Sequence, residues 1–99
     1  MARTVWKFPI EATLYQEVRV GTDPRIVHVG MQDDEPHMWV EHEAPQGLAE
    51  STLGVGLRGT GDAVPDGGRH AGVFMTDGVL PLVFHVYDLG TLEGASDER

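Results

Sequence analysis

Apolar and polar residues alternate with a period of two along most of this chain, the spacing of β-strands that bury one face and wet the other. In Arg3–Ile10, Thr4, Trp6 and Phe8 share one face, and Arg3, Val5 and Lys7 share the other. Leu14–Val20 turns Leu14, Gln16, Val18 and Val20 inward and Tyr15, Glu17 and Arg19 outward. Gly21–Pro24 (GTDP) reads as a turn: glycine reaches unusual φ, aspartate bonds to nearby backbone and proline fixes φ. A third strand, Arg25–Gln32, groups Val27, Val29 and Met31, and a polar DDEP turn leads to a fourth, His37–Glu43. Short strands joined by regular polar connections predict an antiparallel meander.

Pro45 and Gly47 interrupt the pattern. The only helical signal is one short turn near residues 46–51, because no segment sustains a 3.6-residue period over the ~12 residues a stable helix wants. Leu53, Val55 and Leu57 then alternate with Gly54 and Gly56 in a fifth strand, Ser51–Gly59, whose interior glycines mark a bulge or a close backbone approach. GTGDAVPDGG is a loop, His70–Met75 a sixth strand, and Thr76–Gly78 (TDG) a hairpin turn. The seventh strand, Gly78–Asp88 (GVLPLVFHVYD), is apolar on both faces. Leu80, Leu82, Phe84 and Val86 point one way; Val79, Pro81, Val83, His85 and Tyr87 point the other. Two dry faces predict cover on both sides, by a second sheet on one and by a partner subunit or a loop on the other. Residues 89–99 are mostly small, polar and charged and predict a flexible acidic tail. The expectation is one all-β domain over residues 1–88, with about seven short, mostly antiparallel strands in a sandwich or partly open barrel.

Composition narrows the function classes. A chain of 99 residues, 40% hydrophobic, has room for one small core, and assembly would add useful burial. The absence of cysteine excludes disulfides, thiolate catalysis and cysteine-based metal sites. MARTVWKFPI lacks the apolar core and cleavage pattern of a secretory leader, and no run approaches the ~18 apolar residues of a membrane helix. A cytoplasmic location follows as the expectation. Sixteen acidic residues against seven basic ones give a formal charge of −9, which argues against non-specific nucleic-acid binding and leaves room for a local basic pocket.

TVWKFPI near the start, PRIVHVGMQDDEPHMWV, the GTG at Gly59–Gly61 and the closing HAGVFM…LVFHVYD together resemble a family of small proteins of unassigned function. Bacteriophages and bacteria encode most of its members, which begin with a Val-Trp-Lys-aromatic-Pro segment and end with a Phe-His-Val-aromatic strand. The resemblance runs from Thr4 to Asp88 and matches least well over Glu43–Leu57. It implies a small β domain and a phage origin, with host cytoplasm as the location. It carries no catalytic residues to transfer.

Candidate chemistry is sparse. His37 and His42 fall on opposite faces of their strand, so they do not share a metal without a bulge, and His28 joins His37 only if the hairpin register brings them opposite. Partly exposed strand histidines are the plainer reading, and no metal or cofactor is expected. His85 lies amid apolar residues and is either a pocket contact or a structural hydrogen-bonding group. The segment Gly59–His70 combines exposed backbone and Thr60 with Arg69 and His70, and Arg58 precedes it. Glycines let amides approach a ligand and arginines grip phosphate or carboxylate. The segment is neither a Walker loop nor a Rossmann fingerprint, and an ordinary loop competes with the binding reading. The only serines are Ser51 and Ser96, with no nucleophile-elbow pattern around them.

The expectation from these residues is a non-enzymatic, oligomeric binding protein. It would sequester a small nucleotide-type ligand or inhibit a host protein, with Arg58, Thr60, Arg69, His70 and His85 as ligand-binding candidates. The alternatives are a structural or virion-associated interaction module without a small ligand and, last, a small hydrolase.

Overall fold

Asp33 and Asp34 both adopt positive φ, 54° and 66°, in a computed structural model that describes residues 2–44 and 50–92. Gln32 pairs with Glu35 across them. Two consecutive left-handed residues make the hairpin turn whose twist matches that of the flanking strands. DDEP therefore folds β3 (Thr22–Gln32) tightly onto β4 (Glu35–Glu43).

Among the described residues seven strands, all paired antiparallel, form two sheets. β1 (Arg3–Pro9) joins β4 and β3 in the order β1-β4-β3. The second sheet runs β2-β5-β7-β6, from β2 (Tyr15–Val20), β5 (Ser51–Gly59), β7 (Val83–Thr91) and β6 (Arg69–Met75). The architecture is the predicted all-β one, without a closed barrel, but the strand order is not a meander. The chain changes sheets between β1 and β2, between β2 and β3, and between β4 and β5. At the second of these crossings Gly21 is the single residue between the strands. A β-carbon on Gly21 would overlap the Glu43 carbonyl oxygen and stand 2.8 Å from His42 Nδ1. The expected GTDP turn is thus a one-residue corner followed directly by strand, with Asp23 at φ 54° in a bulge between Thr22 and Arg25.

The core lies between the sheets. Met38, Val40, Leu53, Val55, Leu57, Val20 and Val86 are almost wholly buried, and each such side chain contributes about 1.5–3 kcal/mol against the entropy of ordering the chain. A second bulge in β3, between Ile26 and His28, reverses the side-chain parity. Ile26 and Val29 both face inward while Val27 is 41% exposed, which corrects the grouping of Val27 with Val29 and Met31.

The seventh strand also departs from expectation. β7 begins at Val83, and Val79, Leu80 and Leu82 are 98%, 81% and 56% exposed in the loop before it. Thr76 closes that loop: its N–H donates to the Leu82 carbonyl and its hydroxyl accepts the Leu82 N–H, both at 2.9 Å. β6 stops at Met75, so residues 79–82 have no strand opposite them, and Pro81 lacks the N–H a ladder requires. At its other end β7 continues through Leu89–Thr91, assigned to the tail by pattern, and Leu89 covers Gly54 and Gly56. Residues 93–99, and the part of the predicted helical turn at 46–49, lie outside the described residues; Ser51 belongs to β5. Among the described residues no helix is long and apolar enough to cross a membrane.

Candidate functional site

β3 and β6, the edges of the two sheets, pack side by side without pairing. Gly72 permits this contact, since a β-carbon there would lie 2.9 Å from Val29 Cβ. Next to it opens a cleft of about 350 Å³, walled by Arg25–Val27 of β3 on one side and by Arg69–Ala71 and Asp88 on the other. It adjoins a recess of about 410 Å³ that shares Arg69 and Asp88 and includes Thr22–Pro24, Ser51 and Gly90.

Asp88 shares the inward parity of Phe84 and Val86, and its side chain is only 9% exposed. Its Oδ1 accepts the Gly90 N–H at 2.8 Å, a contact made by the positive φ of Gly90, and Oδ2 lies 3.7 Å from Arg69 Nη2. Arg25 Nη2 stands 3.5 Å from Glu41 Oε1. Glu41 is held more closely by Arg3, whose Nε donates to Oε2 at 2.8 Å. That hydrogen bond, with smaller help from the charges of Arg3 and Arg25, keeps the Glu41 carboxyl below the usual carboxylate range. Among the described residues Arg25 and Arg69 thus each meet one carboxylate at a long distance, leaving most of their N–H donors available at the cleft.

Three further candidates meet on the outer face of the second sheet. His70 Nε2 and His85 Nδ1 are 3.1 Å apart, and His85 Nε2 is 3.1 Å from Thr60 Oγ1. The His70 ring also stands edge-on to Tyr87 at 5.3 Å. A bulge between His70 and Gly72 makes this possible: it sets His70 opposite Tyr87 while Val73 stays opposite His85. An apolar recess of about 350 Å³ lies beside Thr60, walled by Gly59 and Pro81–Phe84.

Arg58 is placed differently. Its guanidinium donates to the carbonyls of Leu14, Leu57 and Ala63 at 3.0, 2.8 and 3.2 Å. It fastens the 60–63 loop and the start of β2 to β5, away from the cleft. His28 and His37 flank Trp39 on the first sheet, and His42 is buried beside Trp6 and Phe8. Among the described residues no three His, Asp or Glu side chains gather as a metal cluster.

Of the five predicted site residues, Arg69 and His70 line the cleft, and Thr60, His70 and His85 form one chain of polar contacts. Arg25 and Asp88 were missed. Asp88 had a signal, a carboxylate at an inward position of an apolar strand. Arg25 had none, because only the packing of β3 against β6 places it opposite Arg69.

Residues 1–95 match the model of a family described as a domain of unknown function (DUF7352). No curated protein and no solved structure matches the chain.

Proposed function

The chain belongs to the DUF7352 family, which carries no assigned activity, and from its own geometry we propose that it is a non-enzymatic binding protein whose seam cleft holds a small, nucleotide-type anion. One observation carries this reading: Arg25 and Arg69 come from different sheets to opposite walls of one cleft, with His70 beside them. Guanidinium groups match phosphate and carboxylate oxygens two bonds at a time. The buried Asp88 adds an acceptor for a hydroxyl or amine of the same ligand, a pairing that a nucleotide supplies and bare phosphate does not. The net charge of −9 repels anions at long range, so affinity rests on these local donors. The role that fits such a cleft is capture of the ligand without turnover.

The test is a thermal-shift screen against mono-, di- and cyclic nucleotides and NAD-derived compounds. A ligand present at a hundred times its dissociation constant stabilises by about 2.7 kcal/mol, on the order of ten degrees for a domain this small. A shift with one nucleotide class that disappears in Arg69→Ala supports the reading, and a flat screen removes it.

A second reading, a protein-interaction module that includes self-association, draws on a different observation. Val79 and Leu80 stand almost fully exposed on a loop whose base Thr76 pins closed. Presenting apolar side chains on a constrained loop lowers the entropy lost on docking, and it is costly to solubility unless a partner covers them.

A further inference from the structure

We propose that His70 and His85 form a two-imidazole site for a divalent transition metal of the Zn²⁺, Ni²⁺ or Cu²⁺ class, next to the cleft whose wall His70 also lines. His70 Nε2 and His85 Nδ1 face each other at 3.1 Å across β6 and β7. Two imidazole nitrogens bound to one ion at ~2.0–2.1 Å each are separated by roughly 3 Å. The strands therefore already hold the two donors at the spacing of one edge of a coordination shell. Without metal the same pair closes as an N–H···N hydrogen bond, and a modest ring rotation aims both lone pairs at an ion instead.

The surroundings supply what a metal-binding imidazole needs. When Nδ1 of His85 binds the ion, its proton resides on Nε2, which donates to Thr60 Oγ1 at 3.1 Å and fixes the ring. Tyr87 braces the His70 ring edge-on. Arg58, which pairs opposite His85, is committed elsewhere, donating to three backbone carbonyls. The acidity of the chain also concentrates cations near its surface. Nitrogen ligands select borderline metals over Mg²⁺ and Ca²⁺, which prefer oxygen. Two protein ligands leave coordination positions open to water or an exogenous anion, so the expected affinity is modest and the bound ion exchangeable.

The test is titration of tag-free, full-length protein with Zn²⁺ by calorimetry and with Cu²⁺ by electron paramagnetic resonance, near neutral pH. One ion per chain and two coordinating nitrogens are expected. His70→Ala and His85→Ala should each abolish uptake, His28→Ala should leave it intact, and Thr60→Val should weaken it on the order of tenfold. Circular dichroism of each variant checks that the fold persists. No uptake at sub-millimolar metal, or uptake that survives either the His70 or the His85 substitution, overturns the proposal. The nucleotide screen is run with chelator present and read out by Arg69→Ala, so its result is scored separately from metal uptake.

Discussion

The backbone N–H of Gly21 donates to Nδ1 of His42 at 2.7 Å, and His42 is fully buried. Because Nδ1 is the acceptor, the ring proton lies on Nε2, which has no hydrogen-bond partner among the described residues. Trp6 stands edge-on to that ring at a centroid distance of 4.8 Å, and Phe8 at 6.0 Å. The bond ties the β2–β3 corner, one of the places where the chain changes sheets, to the end of β4.

This relationship sets a pH dependence. Burial, with a smaller push from Arg3, lowers the His42 pKa below its ordinary value of 6.5. The unfolded chain then binds a proton that the folded chain refuses, so the stability from neutral His42 is complete above about pH 6.5 and falls as the pH drops below it. Protonation at Nδ1 would also break the Gly21 bond. Urea denaturation between about pH 7.5 and 5.5 should show the decline, and His42→Asn, which keeps an acceptor near the Nδ1 position, should flatten it. His42→Ala should cost on the order of 3 kcal/mol at neutral pH.

Two glycines should respond very differently to alanine. At Gly21 the added carbon meets the backbone of Glu43, which cannot swing aside as a side-chain end would, so Gly21→Ala should lose on the order of 4 kcal/mol. Gly61 has φ +99° but open space around it, so Gly61→Ala should cost only about 1 kcal/mol from backbone strain. The midpoints of denaturant unfolding give the comparison directly.

Arg25, Arg69 and Arg58 should separate into two behaviours. Arg25→Ala and Arg69→Ala should leave the melting temperature nearly unchanged and weaken binding of the nucleotide found in the screen roughly ten- to a hundredfold, the loss of a charge-assisted contact. Arg58→Ala removes three bonds to backbone carbonyls. It should cost about 1–2 kcal/mol of stability while leaving ligand affinity within about twofold. Calorimetric binding curves together with thermal melts check both halves.

Leu80→Asp tests the exposed tip. The side chain is 81% exposed, so the substitution should alter stability by less than about 0.5 kcal/mol. If the tip mediates self-association, native mass spectrometry of the wild-type protein at micromolar concentration should show an oligomer and the variant a monomer. A wild-type protein that is already monomeric excludes self-association through this loop.

Much of the strand content was legible because burial on one face imposes a period of two. Leu53, Val55 and Leu57 alternate with Gly54 and Gly56 as β5 requires, and the polar DDEP between two alternating runs marked the β3–β4 turn. The interior glycines of β5 marked the irregularity at Gly54, where pairing with β7 shifts between Leu53 and Val55, but the bulges in β3 and β6 were not legible. Nothing in the letters between Ile26 and His28 announces a register shift, since a bulge is a compromise between two paired strands rather than a preference of one. The run from Gly78 to Leu82 was misread for a related reason: apolar residues signal cover, and pattern alone does not say whether the cover is a sheet or something beyond the chain's own fold.

The sequence by itself determined a small, cysteine-free, acidic β domain and the strand cores within it, because alternation and turn chemistry are local and act before any long-range contact forms. Tertiary structure decided which strands pair, that Gly21 is a corner, and that Arg25 faces Arg69 while Arg58 turns away. It also brought His70 to His85, through a bulge whose effect exists only when β6 is laid against β7. Strand order and convergence of side chains depend on contacts between segments far apart in the chain, and no local preference encodes them.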